Sequence, residues 1–535
     1  MKSAKKFLAL ALALIIAISL AACTTPVDTE GGGEPAAPGA NFNEEGLPIV
    51  NEPIELSVIT MRWGDMGDTF TANPFLVNLE AESGITIDWQ VKSSNDWTEQ
   101  RSILFAGGEM PDIFMGNETL NDNTVMNNLE YFIPLEDLID KYMPNYKRAL
   151  EMYPEMRALT TYPDGHIYSL SKNLPARAAT RNHPIINKKW LDNLGLEIPA
   201  TTEELATVLK AFVDNNASGL ANTYGYVWHI SDQSGGMQGD MFIPWGISDI
   251  YNTGMSILDG EAFYYPISEN YKEAVIWFHE LYEMGVIDPE TYTQDESMMR
   301  NKYANTEGPL VGFTYQWTPD AIVGQWADQY IAIPPITVPG GEQYASGDPN
   351  GIFAIMRNEA LITTACENPE AAARWLDQFY TNEASIQNFW GGFGVVMTAN
   401  EDGTFTLNNP PEGVSADAWY WDQSLRDFGP KFVEPEFNEK IILDPTAGDG
   451  YKLEIAKLTD PFVTTPFPQL LYTDEESEEL NLLQTDIDAY RRQTLAKWIV
   501  EGGIEEEWDA YLEQMELMGV NDLIEIRMNA YEKVQ

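Results

Sequence analysis

The sequence predicts an α/β protein of two or more lobes with a helix-rich C-terminal part. Three observations predict it. The chain has 535 residues, 44% hydrophobic and 12% aromatic, which is a globular composition too long for one ordinary core. Residues 54–115 read as strand, helix, strand, helix, strand, the order of a parallel sheet with right-handed crossovers. Residues 473–533 carry three successive apolar patterns at helical spacing.

The N-terminus comes first. Lys2, Lys5 and Lys6 precede an apolar run from Phe7 to Leu20 that only Ser19 interrupts. This is a secretory signal peptide of residues 1–22; its run of about fourteen residues falls short of the roughly 20 a spanning helix needs. The junction Leu20-Ala21-Ala22-Cys23 resembles a bacterial lipobox, which would make Cys23 the lipidated first residue. Residues 23–48 then form a linker rich in Thr, Pro, Gly, Ala and Glu, with little to bury. The folded body, 49–535, is expected outside the cell membrane, held by the lipid. The formal charge is −52. It excludes nucleic acid and disfavours anionic ligands in the absence of a local arginine cluster. It suits a neutral or cationic ligand, or serves only to keep the protein soluble. Cys366 is the one other cysteine and reads as a small buried hydrophobe.

The strand at 54–61 is followed by Asn73-Pro74, an N-cap and first-turn pair, with Phe75, Leu76 and Leu79 apolar and Gly84 as terminator. Ile85, Ile87, Trp89 and Val91 alternate as a strand. A helix at 95–106 ends in Gly107-Gly108, and 111–115 is a short buried strand. Ligands of such sheets bind at the strands' carboxyl ends, here Arg62 to Asp65 and Gly116 to Glu118. Short helices follow at 135–142 and 146–156. Thr201-Thr202-Glu203-Glu204 opens a helix as a capping box. Asn270 caps another that Gly285 closes. Residues 331–338 and 352–356 read as strands, and Asn368-Pro369 opens a helix through Tyr380. Three helices at 473–501, 504–518 and 521–533 finish the chain. This alternation suits a chain that crosses between lobes more than once.

Several stretches resemble the extracellular solute-binding proteins of family 1, specifically the large lipoprotein binding subunits of carbohydrate ABC importers. They are Ile103 to Ile113 with its Gly-Gly turn and Pro-Asp, Ile133 to Ile139, Asp164-Gly165-His166-Ile167-Tyr168, Asn187 to Leu196 with Pro199 to Thr202, Tyr282 to Glu290, and Ala530-Tyr531. His166 stands where the family has lysine. The resemblance implies a type II-like periplasmic-binding-protein fold, two lobes hinged around a cleft. It implies a monomeric receptor, not an enzyme, that presents a neutral mono- or oligosaccharide to separate permease subunits.

A sugar offers apolar C–H faces and a rim of hydroxyls, so its site wants flat aromatic rings beside polar side chains. Loop aromatics next to Gly or Pro and a polar residue are the candidates: Trp63 with Asp65, Trp228, Trp245, Tyr315 with Trp317, and Trp390. Asn117, Arg181 and Asn182 join them as polar partners. Asp112 reads as a cap of the following turn.

Members of the resembled subgroup can carry a calcium loop, and the matching stretch is 214–222. Asp214, Asn216, Ser218 and Asn222 supply oxygens at the required spacing, with Gly219 at the turn. Ser218 and Asn222 replace carboxylates, and Gly225 stands where a bidentate glutamate belongs, so a simple Asn/Gly turn is the alternative. No other cofactor is implied. His279-Glu280 lacks the second histidine of a zinc motif, and no Gly-x-Ser-x-Gly occurs. The competing functions are a receptor for a peptide or cationic solute, and a surface glycoside hydrolase, since 83 acidic residues make chance carboxylate pairs inevitable.

Overall fold

β1 (Ile54–Arg62) is the strand on which the first lobe is built. The computed structural model describes residues 41–63, 66–116, 119–174, 177–229, 240–348, 356–412, 414, 416–446 and 448–535; Cys23, Asp65 and Asn117 lie outside them. β1 is flanked by β2 (Ile85–Ser93) and β3 (Ile113–Met115), both parallel to it. The sheet continues through two antiparallel partners, β11 (Met356–Ile362) and β4 (Leu170–Lys172), in the order β2-β1-β3-β11-β4. Because β1 lies between β2 and β3, the crossovers to β2 and β3 run in opposite directions. Right-handedness then sends their helices, Pro74–Ser83 and Trp97–Gly107, to opposite faces. Leu76 and Leu79 accordingly share a core with Leu56 and Val58, while Trp97 packs with Ile59 and Met61. Covered on both faces, β1 has a continuous apolar end instead of an alternation. The expected cap at Asn73 is present: its side chain accepts from the Phe75 N–H at 3.0 Å.

The second lobe holds the sheet β10-β5-β9-β6, made of β5 (His183–Asn187), β6 (Tyr224–Tyr226), β9 (Val311–Gln316) and β10 (Tyr330–Ala332), and a hairpin of β7 (Met255–Leu258) and β8 (Glu261–Tyr264). Gly312 lets the helix Thr202–Asp214 approach β9, since a Cβ there would lie 2.4 Å from the Phe212 ring. The C-terminal helices Asp474–Glu501, Ile504–Leu517 and Val520–Glu532 belong to this lobe; Ile487, Trp498, Tyr511 and Leu523 lie in one core with Phe313 and Phe278. Among the described residues, no helix is long and apolar enough to cross a membrane.

The described residues show the chain passing between the lobes three times, near residues 177–182, 345–348 and 457–467. The crossings are bonded to one another. Arg181 N–H donates to Ser346 O at 2.9 Å, Asp348 N–H to Ala179 O at 2.8 Å, and Ala345 N–H to Phe462 O at 2.8 Å. Asp460 fastens the first crossing to the third: its Oδ1 accepts from Thr180 N–H at 2.8 Å and Thr180 Oγ1 at 2.7 Å.

Some elements differ from expectation. Ser268, not Asn270, caps the helix Glu269–Glu283; Asn270 sits inside it and donates to Trp245 O at 2.8 Å. The strand expected over 331–338 stops at Ala332, where Pro334 and Pro335 remove ladder donors. Of the strand expected over 352–356, only Met356 is described, and it begins β11. Asn368 provides no side-chain cap, and its helix ends at Asp377 before a 3-10 turn. Cys366 is buried, as expected.

Asp377 ties this helix to another, Pro144–Met152. Its carboxylate accepts from Tyr146 N–H at 2.9 Å and Asn145 Nδ2 at 2.8 Å. Burial nevertheless outweighs these donors and pushes its pKa up to about 6. A raised folded-state pKa stabilises below the unfolded value and loses that stabilisation as pH rises through the folded one. Asp377→Asn keeps an acceptor for the two N–H donors, gives up the one facing Asn145 Nδ2 at every pH, and abolishes the titration. Chemical denaturation should therefore show the variant gaining roughly 3 kcal/mol relative to wild type between about pH 4 and about pH 7.

Candidate functional site

A cavity of about 510 Å³ opens between the lobes. One wall comes from the first lobe: Leu407 to Pro410, then Tyr420, Trp421, Arg426 and Asp427. The facing wall is Trp317, Thr318, Asp320 and Ala321 of the second lobe. Arg177, Asp444 and residues 448–450, close to the crossings, complete it.

Trp317 follows the last residue of β9, and its N–H donates to Gln316 Oε1 at 2.8 Å. Two basic side chains lie over its ring: the Arg177 guanidinium at 4.2 Å and Lys452 Nζ at 4.0 Å from the centroid. Such contacts hold an indole in place through its quadrupole. Lys452 is itself anchored. Its Nζ donates to Arg181 O and to His183 Nε2, the latter at 2.7 Å. Burial, then the neighbouring Lys452, drives the His183 pKa down to about 2, so the ring is neutral. With Nε2 accepting, its proton lies on Nδ1 and is donated to Thr459 Oγ1 at 2.8 Å. Burial likewise pulls the Lys452 pKa well below its ordinary value.

On the opposite wall, Arg426 has a left-handed backbone, φ 54°, a strained conformation for arginine. It places the guanidinium 4.2 Å over Phe389 and 5.6 Å from the Tyr420 ring centre, 3.1 Å from Asp449 Oδ2. Trp390 Nε1 donates to the same oxygen at 2.9 Å. Burial alone would raise the Asp449 pKa; Arg426, Arg177 and the Trp390 donor outweigh it and hold the carboxyl below its usual value. Arg177 stands 3.3 Å from Asp348. Both arginines therefore stand against carboxylates. Arg62, at the end of β1, donates to Ser424 O at 2.8 Å and to Trp421 O. It thereby fixes the end of the helix Ala416–Gln423 that presents Tyr420 and Trp421. Burial lowers the Arg62 pKa to about 10, partly offset by Asp422. The assembled surface, flat rings rimmed by carboxylates, amides and hydroxyls, suits a ligand with C–H faces and hydroxyl groups.

The expected residues divide. Trp317 lines the cavity. Trp63 is 43% exposed, with its ring 5.8 Å from Phe428, which in turn is 6.0 Å from Trp421; it extends the same aromatic string. Arg181 and Asn182 lie on the first crossing, and Asn182 Nδ2 donates to Asp240 at 2.6 Å. Trp228, Trp245, Tyr315 and Trp390 are instead buried. Trp245 packs on Trp277 at 5.4 Å, Trp228 on Tyr226 at 5.3 Å and Tyr315 on Phe313 at 5.4 Å. Trp390 reaches the site only through Asp449. Trp245 and Trp390 each precede a glycine, and a turn can aim a ring inward as readily as outward; Tyr315 lies within β9 and points into the core from there. Arg177, Tyr420, Trp421, Arg426, Asp427 and Asp449 were not anticipated; the run Trp419-Tyr420-Trp421 was their one local signal.

The loop 214–222 is held by its own side chains. Asp214, its one carboxylate, is ion-paired with Lys210. Asn216 Oδ1 accepts from Thr223 Oγ1 at 2.8 Å, and Ser218 Oγ donates to Asn222 O at 2.8 Å. The side-chain oxygens of the loop thus bond within it. Among the described residues no cluster of His, Cys, Asp or Glu is placed to hold a metal.

A family model described as bacterial extracellular solute-binding protein matches residues 68–386. The chain is 31% identical over 480 residues to the fructooligosaccharide ABC transporter substrate-binding protein FusA of Streptococcus pneumoniae, covering 86% of this chain and 87% of that one. The solved structure of FusA in complex with kestose superposes with a TM-score of 0.72 at 27% identity, covering 90% of this chain and 99% of that one. An HMO-binding, ABC-transporter-associated solute-binding protein from Bifidobacterium longum infantis superposes with a TM-score of 0.76 at 24% identity, covering 90% of this chain and 99% of that one; at that identity it speaks for the fold alone.

The Arg426–Asp449 pair yields a prediction. Arg426→Met should leave the buried Asp449 without its ion-pair partner, with only the Arg177 field and the Trp390 donor remaining, at a cost of up to about 3 kcal/mol near neutral pH. Denaturation at lower pH, where the carboxyl takes up a proton, should show a smaller loss.

Proposed function

Because the chain belongs to the bacterial extracellular solute-binding proteins, we propose that it is a lipid-anchored receptor that closes its lobes on a neutral oligosaccharide and delivers it to the permease of an ABC importer. The observation that carries the ligand class is Trp317, held by Arg177 and Lys452 at the mouth between two lobes, facing Tyr420 and Trp421. An indole fixed in this way is a platform for a sugar's C–H face, and Asp427, Asn408 and Asn409 on the cavity wall can bond hydroxyls. Arg177 stands against Asp348, and Arg426 against Asp449, which favours an uncharged ligand. The relationship to FusA makes fructose-containing oligosaccharides the first class to examine.

The binding cycle follows from the three crossings. They are few, short and mutually bonded, so the lobes can rotate about them as bodies. A ligand that touches both walls favours the closed state by its difference in affinity for the two. The closed form is what a permease would read. No bond in the ligand is made or broken.

Isothermal titration with a neutral fructooligosaccharide should show binding to the protein lacking residues 1–23. Trp317→Ala should weaken it at least tenfold while leaving the melting temperature nearly unchanged, because the ring is partly exposed. Short peptides should not bind, and the oligosaccharide should be recovered intact after incubation. Peptide binding alone would overturn the ligand class, and cleavage would overturn the receptor role.

The anchor has its own test. In a bacterial host that processes lipoproteins, Cys23→Ala should move the protein from the membrane fraction to the medium or the soluble envelope fraction. Retention of the variant in the membrane would contradict the lipobox reading.

A further inference from the structure

A second cavity, about 400 Å³, lies between the lobes and is lined by other residues. Asn121, Asp122 and Asn123 come from the first lobe. Tyr251, Asn252 and Thr253 face them from the second, together with Gln484 of the helix Asp474–Glu501 and Arg527 of the C-terminal helix. The third crossing continues through its wall as residues 468–472.

Arg527 is the unusual member. It is 4% exposed. Its Nη2 donates to Gln484 Oε1 at 2.9 Å and its Nη1 faces Tyr472 Oη at a long 3.4 Å, while its Nε has no partner. Among the described residues no carboxylate forms an ion pair with it, unlike Arg357 and Arg426. A buried charge without a counter-charge is costly, and this one borders open volume.

The rest of the wall offers amide donors and no carboxylate that is free to pair with Arg527. Asp122, the one carboxylate, is consumed: Arg357 Nε and Nη2 donate to its two oxygens at 2.8 and 2.6 Å, and Asn358 Nδ2 donates at 2.7 Å. Gln484 is fixed, since its Nε2 donates to Asp488 at 3.2 Å. Asn252 Oδ1 accepts from Arg491 at 3.3 Å, which leaves its Nδ2 protons for a ligand. Asn121 Oδ1 accepts from Thr124 N–H at 2.9 Å, which leaves its Nδ2 likewise. One guanidinium without an ion-pair partner and two amide donors thus border one cavity, with further amides and hydroxyls beside them, an arrangement suited to an anion that also carries hydroxyl groups.

We infer that this cavity is a second site, and that it takes a small hydroxylated carboxylate, with Arg527 bonding the carboxylate and Asn121 and Asn252 adding donors from the two lobes. The assignment is independent of the ligand proposed for the Trp317 cavity. A ligand here would also bridge the lobes and bias the same closure.

Glucuronate and glucose form a matched pair of probes that differ at the carboxylate. Titration calorimetry at low ionic strength should show glucuronate bound and glucose not, with affinity falling as sodium chloride is added. A charged hydrogen bond is worth about 1.5–3 kcal/mol, so Arg527→Gln should weaken glucuronate at least tenfold. Should that variant fail to fold, Asn252→Asp is the second test: its Oδ1 still accepts from Arg491, and its charge opposes the ligand, so glucuronate should again weaken at least tenfold. Both variants should bind the neutral oligosaccharide as wild type does, and Trp317→Ala should bind glucuronate unchanged. No glucuronate binding to wild type at millimolar concentration, equal affinity in the Arg527 or Asn252 variant, or displacement of glucuronate from its seat by loss of Trp317 would each overturn the assignment.

Discussion

The structure depends on the way its three interlobe crossings are held together. Asp460 accepts from both the N–H and the hydroxyl of Thr180, and backbone bonds join the 345–348 segment to each neighbour. The crossings thus behave as one strip, though they are far apart in sequence. Everything functional is arranged about this strip. Lys452 and His183 brace it beside Trp317, and Arg177, on the first crossing, reaches the same ring. A motion of the strip therefore moves the walls of both cavities, and a ligand on either wall acts back on it.

Charge is placed with equal economy. The chain carries −52 overall, yet basic side chains gather where the lobes meet. In the Trp317 cavity Arg177 and Arg426 stand against Asp348 and Asp449, leaving aromatic faces as the feature a ligand would meet. In the second cavity Arg527 stands among neutral partners. Net charge alone pointed away from anions everywhere; the local arrangement divides the question between two places.

Much of the fold was legible. The strand–helix alternation at the start of the chain, the Asn73 cap and the helix over 474–501 follow from local rules that burial then reinforces. The order of strands was not legible, because β11 joins the first sheet after an excursion of the chain through the whole second lobe, and pairing at that distance leaves no local pattern. The site was legible only in part. Trp317 and Trp63 sit at strand ends, where the parallel-sheet rule puts ligands. Trp228, Trp245, Tyr315 and Trp390 went to the core: nothing in Pro244-Trp245-Gly246 or Trp390-Gly391 fixes which way the ring faces, Tyr315 points inward from within β9, and Trp228 lies just past the buried end of β6. Arg426 depends on a left-handed backbone that no residue type announces, and Asp449 on a partner 23 residues away.

The central claim is that a neutral oligosaccharide is held by both lobes at once and stills the strip between them. Amide hydrogen exchange with and without a bound fructooligosaccharide tests it most directly. The account predicts added protection in three places together: residues 407–427 of the first lobe, residues 317–321 of the second, and the crossings around Thr180, Ala345 and Phe462. Protection on one lobe alone, with exchange at the crossings unchanged, would contradict it.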